Sequence, residues 1–254
     1  MPRLPAPLEP VAIPEAAQRQ LLEDGFTILS AVYSAPQVTA CIATLDHSLL
    51  SAQTAAGVQS RDGGVYAARN VLEICPEVRD IWRQPPLPEF LATLLGDAAG
   101  LVRILYFDKP PERTWALPWH KDLTIAVAHG CQSTAWGRKP TLRAGVPHVE
   151  APLSVLENML TLRIHLDPAT PENGPLEVLS GSHRAGKSLV MEGQPETSIL
   201  ASAGDVLAMR PLLAHCSGKS HPGTALHRRI LHLEFAASRE LRDGFAWHDF
   251  WPLA

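Results

Sequence analysis

The segment NMLTLRIHLD, residues 158–167, alternates apolar and polar side chains along its whole length. The apolar positions are Leu160, Leu162, Ile164 and Leu166, and the polar positions are Thr161, Arg163, His165 and Asp167. Because successive side chains of a strand point to opposite faces of a sheet, this pattern predicts a β-strand with one buried face. Solvent exposure would explain the polar face as well as a shared cavity would.

The segments around this strand predict a mainly β fold preceded by helices. Short apolar runs at 101–108, 175–180, 203–210 and 228–236 are separated by turns rich in Gly and Pro, such as PENGP and GSHRAG, which favours an antiparallel barrel or sandwich. Before residue 99, apolar spacing predicts helices near 15–24, 36–52, 76–83 and 87–95. We therefore expect a single domain over 1–254, with a tail at 1–17, a mostly helical part at 18–98 and a β core at 99–238.

Composition excludes several classes of protein. The chain of 254 residues is 46% hydrophobic, enough for a sizeable core, and its formal charge of −4 gives no attraction toward nucleic acid or anionic membranes. We expect no signal peptide and no membrane span, since the proline-rich N-terminus has no apolar core and no run of 18 apolar residues follows. The four widely spaced cysteines predict reduced thiols, and cytoplasmic localisation is the default expectation.

A candidate metal site lies in PWHKDL, where His120 and Asp122 stand two residues apart in an extended segment. Residues i and i+2 of a strand project to the same side, so an imidazole and a carboxylate can meet one ion. His215, in RPLLAHCSG, is the best third ligand. Two histidines and one carboxylate suit the iron(II) of non-haem oxygenases, although zinc hydrolases use the same set. His165 and Asp167 form a second, weaker copy of the pattern.

Basic residues after His215 predict an anion site beside the metal. A 2-oxoacid that chelates iron needs a cation for its far carboxylate, and the planar guanidinium of arginine suits that role. Arg228 and Arg229 begin the next strand, and Ser217 offers a hydroxyl. Alternation places Arg228 on the polar face of the strand, so Arg228 is the first choice and Arg229 the second.

The chain resembles the phytanoyl-CoA dioxygenase family of iron(II)/2-oxoglutarate oxygenases. Five segments carry the resemblance in the family's order, namely DGF at 24–26, KPP at 109–111, PWHKD at 118–122, ENGPLEVLSGSHRAG at 172–186, and the run from GDVLAM at 204–209 through LLAHCSG to RRILHLEFA at 228–236. The resemblance implies a double-stranded β-helix core with N-terminal helices. It also implies that His120, Asp122 and His215 bind Fe(2+), and that Arg228 and Ser217 bind the far carboxylate of 2-oxoglutarate.

Further residues enter through the resemblance alone. It places Leu105, Lys121 and Arg163 along the wall of the cosubstrate site, and Arg69 or Asn70 at a polar contact from the helical part. Arg163 departs from the family, whose members often carry an aromatic residue there. The segment 126–157 is longer than the shortest members of the family need and is expected to be a lid loop.

These features predict an enzyme that oxidises a small molecule with O₂ and 2-oxoglutarate, releasing succinate and CO₂. Retention of Asp122 favours hydroxylation, because related halogenases replace this carboxylate with a small residue. A cupin-like metal hydrolase or isomerase, or a non-catalytic metal-binding barrel, stays open as the alternative. The sequence does not name the substrate, although Arg163, Arg143 or Lys139 could meet an anionic group.

Overall fold

The computed structural model describes residues 15–130, 134–137 and 139–254. Its α-helices are α1 (Glu15–Asp24), α2 (Ala35–Ser51), α3 (Val71–Ile74), α4 (Leu87–Leu95) and α5 (Leu153–Leu156). Its strands are β1 (Phe26–Leu29), β2 (Val58–Arg61), β3 (Gly64–Ala68), β4 (Gly100–Asp108), β5 (Leu117–His120), β6 (Thr124–Ala126), β7 (Thr141–Arg143), β8 (Val146–Glu150), β9 (Met159–His165), β10 (Leu176–Leu179), β11 (Glu196–Ile199), β12 (Val206–Met209), β13 (His215–Ser217), β14 (Arg229–Ala236) and β15 (Trp251–Pro252).

Three antiparallel sheets form the body of the protein. The main sheet has the order β1-β12-β9-β14-β4-β3-β2, and β15 pairs with the start of β4. A second sheet has the order β11-β10-β13-β5. A third sheet, β6-β8-β7, is built from the segment after the candidate metal motif. The main and second sheets are those of a double-stranded β-helix, as the sequence resemblance implied.

The predicted helices form where local signals favour them. In α2, Ser34 caps the first turn together with Gln37, and Pro36 occupies a position near the start where its missing N–H costs nothing. Helix α4 ends at Gly96, as expected from the sequence. The region 76–83 forms two short 3-10 turns, Pro76–Val78 and Ile81–Arg83, because prolines flank it on both sides.

The alternating segment is the central strand β9, and its two faces have different environments. Its apolar side chains join a core between the main sheet and the N-terminal helices, which includes Leu45, Phe90 and Trp82. All seven residues of β9 are buried, so the polar face is not exposed to solvent. Thr161, Arg163 and His165 instead face the interior between the sheets. Solvent exposure is therefore the wrong explanation for these polar residues.

The structure adds strands to two of the expected regions. Residues 18–98, expected to be mostly helical, also contain β1, β2 and β3. The expected lid loop 126–157 contains the strands β7 and β8 and the helix α5, and β8 pairs with both β6 and β7. Short apolar runs in these regions gain their partners from distant strands, for example Phe26 opposite Met209, which a local pattern does not reveal.

Two further expectations concern the whole chain. Cys41, Cys75 and Cys216 are free thiols, while Cys131 and most of the tail 1–17 lie outside the described residues. Within the part of the chain that the structure describes, no helix has both the length and the apolar character that crossing a membrane requires.

Candidate metal and cosubstrate site

His120, Asp122 and His215 come together at the mouth of the barrel. Strand β5 pairs with β13 so that His120 lies directly opposite His215. One ligand atom from each of the three residues lies within 4.8 Å of the others, and His215 Nε2 is 3.7 Å from Asp122 Oδ2. This separation is too long for a hydrogen bond and suits two ligands of a shared ion. The predicted triad is thus brought together by the fold.

Both imidazoles are oriented by main-chain carbonyls. Nδ1 of His120 is 2.7 Å from the Pro118 oxygen, and Nδ1 of His215 is 2.9 Å from the Leu213 oxygen. Each Nδ1 therefore carries the proton and donates it, which leaves Nε2 with a free lone pair. Metal-binding histidines typically have their second nitrogen held in this way. The triad fits a divalent metal, and two histidines with one carboxylate suit non-haem iron(II).

The charge state of the triad also favours metal binding. Burial would raise the pKa of the Asp122 carboxyl, but His215, His232 and His120 together lower it below its usual value. Burial lowers the pKa of His215 to about 4 despite the neighbouring Asp122. An ionised carboxylate and neutral imidazoles are the forms that bind a metal.

The long family segment at 172–186 forms hydrogen bonds with residues next to the triad. The Ser182 hydroxyl accepts a hydrogen bond of 2.8 Å from the main-chain N–H of Ala214, the residue before His215. Lys121 donates to the carbonyl oxygens of Ser182 and Gly186 at 2.8 and 2.7 Å. Lys121 thus contacts two carbonyls of the family segment 172–186. Its expected place on the cosubstrate wall stays a prediction.

A different lysine occupies the interior. Lys109, from the KPP segment, is 1% exposed and donates hydrogen bonds to the Ser217 hydroxyl at 3.1 Å and to the Gly218 carbonyl at 2.6 Å. It exchanges two main-chain hydrogen bonds of 3.2 Å with Arg228. Burial, followed by the charges of Arg228 and Arg163, lowers the pKa of Lys109 to about 7. Three buried cations, Lys109, Arg228 and Arg163, thus lie close together, and the sequence signal for Lys109 was the KPP motif itself.

The two candidate arginines have different surroundings in the structure. Arg229 forms a bidentate ion pair with Asp167, with nitrogen–oxygen distances of 2.7 and 2.8 Å. Arg228 is 6% exposed, and its Nε has no hydrogen-bond partner within the described residues. Burial and the nearby Arg163 lower the pKa of Arg228. A buried guanidinium with an unsatisfied N–H is stabilised by an anion, so Arg228 is suited to bind one.

His165 is a further residue of this cavity that the sequence interpretation missed. Neither of its ring nitrogens has a partner within the described residues, although it is only 2% exposed. Burial, with Arg163 and Arg228 nearby, lowers the pKa of His165 to about 3, so the ring is neutral. Its place on the polar face of β9 was the available signal. The sequence suggested that His165 belongs to a weak metal motif. In the structure it lies near the buried cations Arg163 and Arg228 instead.

A buried polar network lies on the other side of Asp122. Arg103 and Glu234 form an ion pair of 2.5 Å, and Arg103 also lies 2.9 Å from Nε2 of His148. His232 joins this network to Arg163. Its Nδ1 accepts a hydrogen bond of 3.0 Å from the Arg163 guanidinium, and its Nε2 lies 3.3 Å from a Glu234 carboxylate oxygen. Burial would raise the pKa of the Glu234 carboxyl, but Arg103 and His232 lower it overall. The network therefore carries fixed charges.

The remaining predicted residues lie in a side cavity next to this network. Arg69, Asn70 and Leu105 line it together with Arg103 and His148. Leu105 is also opposite His232 in the sheet, so it borders the cosubstrate side as well. The Asn70 amide donates to the Ala144 carbonyl at 3.1 Å, which gives it a structural role. Arg69 and Asn70 are thus apart from the cavity of Arg228.

Comparisons with known proteins agree with this geometry. A search of curated proteins finds no significant match. Among solved structures, the α-ketoglutarate-dependent carbocyclase SnoK from nogalamycin biosynthesis is 17% identical, with a TM-score of 0.66 and coverage of 93% of this chain and 88% of that one. EctD from S. alaskensis is 18% identical, with a TM-score of 0.66 and coverage of 95% and 89%. The epimerase SnoN in complex with Fe3+, α-ketoglutarate and nogalamycin RO is 15% identical, with a TM-score of 0.64 and coverage of 92% and 86%.

At these identities the similarity establishes the fold alone. The family model for phytanoyl-CoA dioxygenase (PhyH) matches residues 21–225, most of the chain. This match includes the triad, Lys109 and the segment 172–186, and it ends just before Arg228. The chain belongs to the phytanoyl-CoA dioxygenase (PhyH) family.

Proposed function

We propose that the protein is an iron(II)/2-oxoglutarate-dependent dioxygenase that hydroxylates a small molecule and releases succinate and CO₂. One observation carries the proposal: the His120–Asp122–His215 triad lies near two buried cations, Arg228 and Lys109, that form no ion pair among the described residues. A metal site alone would suit several enzyme classes. A metal site beside Arg228, Lys109 and an unpartnered His165 suits a cosubstrate that chelates metal at one end and carries a carboxylate at the other.

The roles of the protein's own residues follow from their positions. His120, Asp122 and His215 would hold the iron, and Arg228, Lys109 and Ser217 would bind the far carboxylate. When bound, iron and 2-oxoglutarate supply the oxidising chemistry. Arg163 is fixed by its hydrogen bond to His232 and keeps a positive charge between the carboxylate site and Asp122. The apolar residues around these groups exclude water from the cavity.

The reaction outcome is the finer part of the proposal. Solved structures with this fold include proteins described as a carbocyclase, an epimerase and a monooxygenase. Retention of Asp122 leaves no room for a halide ligand, which favours hydroxylation over halogenation. A cupin-like metal hydrolase or isomerase would use the triad, but it would have no need for the buried cations at Arg228 and Lys109.

The chelate between iron and 2-oxoglutarate provides a direct test. Iron(II) and 2-oxoglutarate are added to the protein without oxygen, and the weak visible charge-transfer band of the chelate is recorded. We expect a band in the wild type and none in His215→Ala or Asp122→Ala. His221→Ala is the matched control, since His221 is exposed and lies outside the triad.

Turnover then distinguishes an oxygenase from a binding protein. On admission of oxygen, the wild type should convert 2-oxoglutarate to succinate, slowly without substrate and faster with it. Absence of the band in the wild type, together with tight zinc binding, would establish the hydrolase alternative. A band without any succinate would point to a non-catalytic barrel.

A further inference from the structure

The interior face of the main sheet carries its side chains in rows that cross three strands. The registers of β9, β14 and β4 define three rows in order: Thr161–Glu234–Arg103, Arg163–His232–Leu105 and His165–Ile230–Phe107. Side-chain contacts follow this order, since Arg163 donates to His232 at 3.0 Å within the second row. A fourth row, Arg228–Lys109, follows from the two main-chain hydrogen bonds that these residues exchange.

The rows run from the metal end of the interior to the buried cations. Asp122 borders the same small space as the polar side chains of the first row. At the other end, Lys109 of the fourth row donates to the Ser217 hydroxyl of the second sheet at 3.1 Å. The third row therefore lies between the metal triad and the buried cations, and His165 is the polar residue of that row.

His165 and Arg228 are diagonal neighbours on this face. His165 is opposite Ile230, and Arg228 precedes Ile230 by two residues. Diagonal neighbours on one face of an antiparallel pair lie about 7–8 Å apart, which aromatic and long side chains can span. Another diagonal pair on this face, Phe107 and His232, has its ring centroids 6.2 Å apart. One carboxylate can therefore contact both His165 and Arg228.

His165 and Arg228 also share the lack of an acceptor. Among the described residues, neither ring nitrogen of His165 and no acceptor at Arg228 Nε completes a hydrogen bond, although both side chains are buried. The other members of the third row, Ile230 and Phe107, are apolar and cannot supply one. Buried polar groups normally have a partner, so two adjacent groups without one indicate a ligand that accepts from both.

The nearby carboxylates of the protein are already engaged. The carbonyl of Asp205 accepts from the His165 N–H, while its carboxylate accepts from two other main-chain N–H groups at 2.8 Å each. Asp167 is paired with Arg229. Asp108 lies 3.0 Å from the ring nitrogen of a histidine outside the rows. A carboxylate for His165 is therefore best supplied by a bound molecule.

We propose that His165 is a further cosubstrate-binding residue, which donates a hydrogen bond to the far carboxylate of 2-oxoglutarate beside Arg228. The carboxylate is then held from β9 as well as from β14. Burial, with the charges of Arg163 and Arg228, lowers the pKa of His165 to about 3, and a neutral imidazole carries one N–H donor. A hydrogen bond from this donor to a carboxylate is charge-assisted. The assignment rests on the proposed function, which supplies the ligand.

Two ligands that differ only in the far carboxylate test this contact. The protein is saturated with zinc, and NMR titration gives its affinities for 2-oxoglutarate and for 2-oxopentanoate, which ends in a methyl group. His165→Phe keeps an aromatic ring and removes both nitrogens. We expect this variant to bind 2-oxoglutarate about tenfold more weakly and 2-oxopentanoate within about twofold of the wild type. His165→Leu should show the same selective loss, and His165→Gln, which keeps an N–H donor, should recover part of the affinity.

His183→Phe is the matched control. Nδ1 of His183 is also buried without a partner among the described residues, but the ring lies against Gly25. Its affinities should match those of the wild type. If His165 only shapes the interior, its variants weaken both ligands alike, and that result overturns the proposal. An unchanged affinity for 2-oxoglutarate in His165→Phe and His165→Leu does so as well. Where 2-oxopentanoate does not bind the wild type, equal losses of 2-oxoglutarate affinity in His165→Phe and His165→Gln overturn it.

The two proposals fail in different measurements. If the oxygenase function is wrong, the wild type shows no band of iron and 2-oxoglutarate. If only the role of His165 is wrong, that band is present and the His165 variants discriminate between the two ligands as the wild type does.

Discussion

Replacing Arg228 or Arg229 with Met should have opposite effects on stability and on cosubstrate binding. In the absence of an anion, Arg228 is buried with an unsatisfied Nε, so Arg228→Met removes an unfavourable buried charge. The free protein should then be as stable as the wild type or more stable. Arg229→Met breaks the bidentate pair with Asp167 and should cost about 2 kcal/mol of unfolding free energy.

The effect on 2-oxoglutarate binding is reversed. Loss of hydrogen bonds to a charged group costs about 1.5–3 kcal/mol. Arg228→Met should therefore weaken binding by about 10- to 150-fold. Arg229→Met should leave the affinity within about twofold of the wild type, because Arg229 faces Asp167.

Thermal unfolding with and without 2-oxoglutarate reports both effects in one assay. At a concentration about 100 times the wild-type Kd, the ligand stabilises the protein by about 2.7 kcal/mol, which raises Tm by about 5–11 °C. With a Kd about 30-fold weaker, the same concentration gives about 0.9 kcal/mol, or about 2–4 °C. Zinc at a saturating level keeps the metal site constant. A full Tm shift in Arg228→Met, with its loss in Arg229→Met, would refute the assignment of Arg228.

Three more predictions test the interior charges and one tight turn. Lys109 has a pKa of about 7, below its unfolded value, so the unfolding free energy should rise between about pH 7 and 10. Over the same range Lys109 loses its charge, so 2-oxoglutarate affinity should fall several-fold; equal affinities in binding titrations at pH 7 and 9 would contradict this. Glu234→Gln breaks the buried pair with Arg103 and should lower stability by about 3 kcal/mol in denaturant unfolding, whereas Asp80→Asn, in an exposed pair, should cost under about 1 kcal/mol. Gly204→Ala should destabilise far more than Gly96→Ala, although both have a positive φ, because an added Cβ would collide with the Tyr33 carbonyl at Gly204 and meets nothing at Gly96; equal losses in urea would show that φ strain alone decides.

Local patterns were sufficient where the chemistry is local. Two residues on one side of an extended segment identified His120 and Asp122, and period-two alternation identified the faces of β9 and β14. The same alternation favoured Arg228 over Arg229, in agreement with the pairing of Arg229 with Asp167.

Long-range pairing decided the rest. Glu234 is opposite Arg103 across two strands that lie 131 residues apart in sequence, and no local signal joins them. Asn70 and Ala144 meet because the turn at Ala144 packs on Gly57, next to the hairpin of β2 and β3. Residues 126–157 gain a sheet because β6 and β8 find each other across this segment.

The sequence by itself determined the candidate metal site of this protein. The spacing of His120 and Asp122 is a short-range property of one extended segment, and His215 follows from the order of the segments that carry the family resemblance. Only the tertiary structure decided which charges remain without partners. Whether a buried cation is neutralised depends on the distance to a carboxylate from another part of the chain, as for Arg229 and Asp167 or Arg103 and Glu234. That distance leaves Arg228 without a carboxylate partner among the described residues, and it is set by how the strands and turns pack.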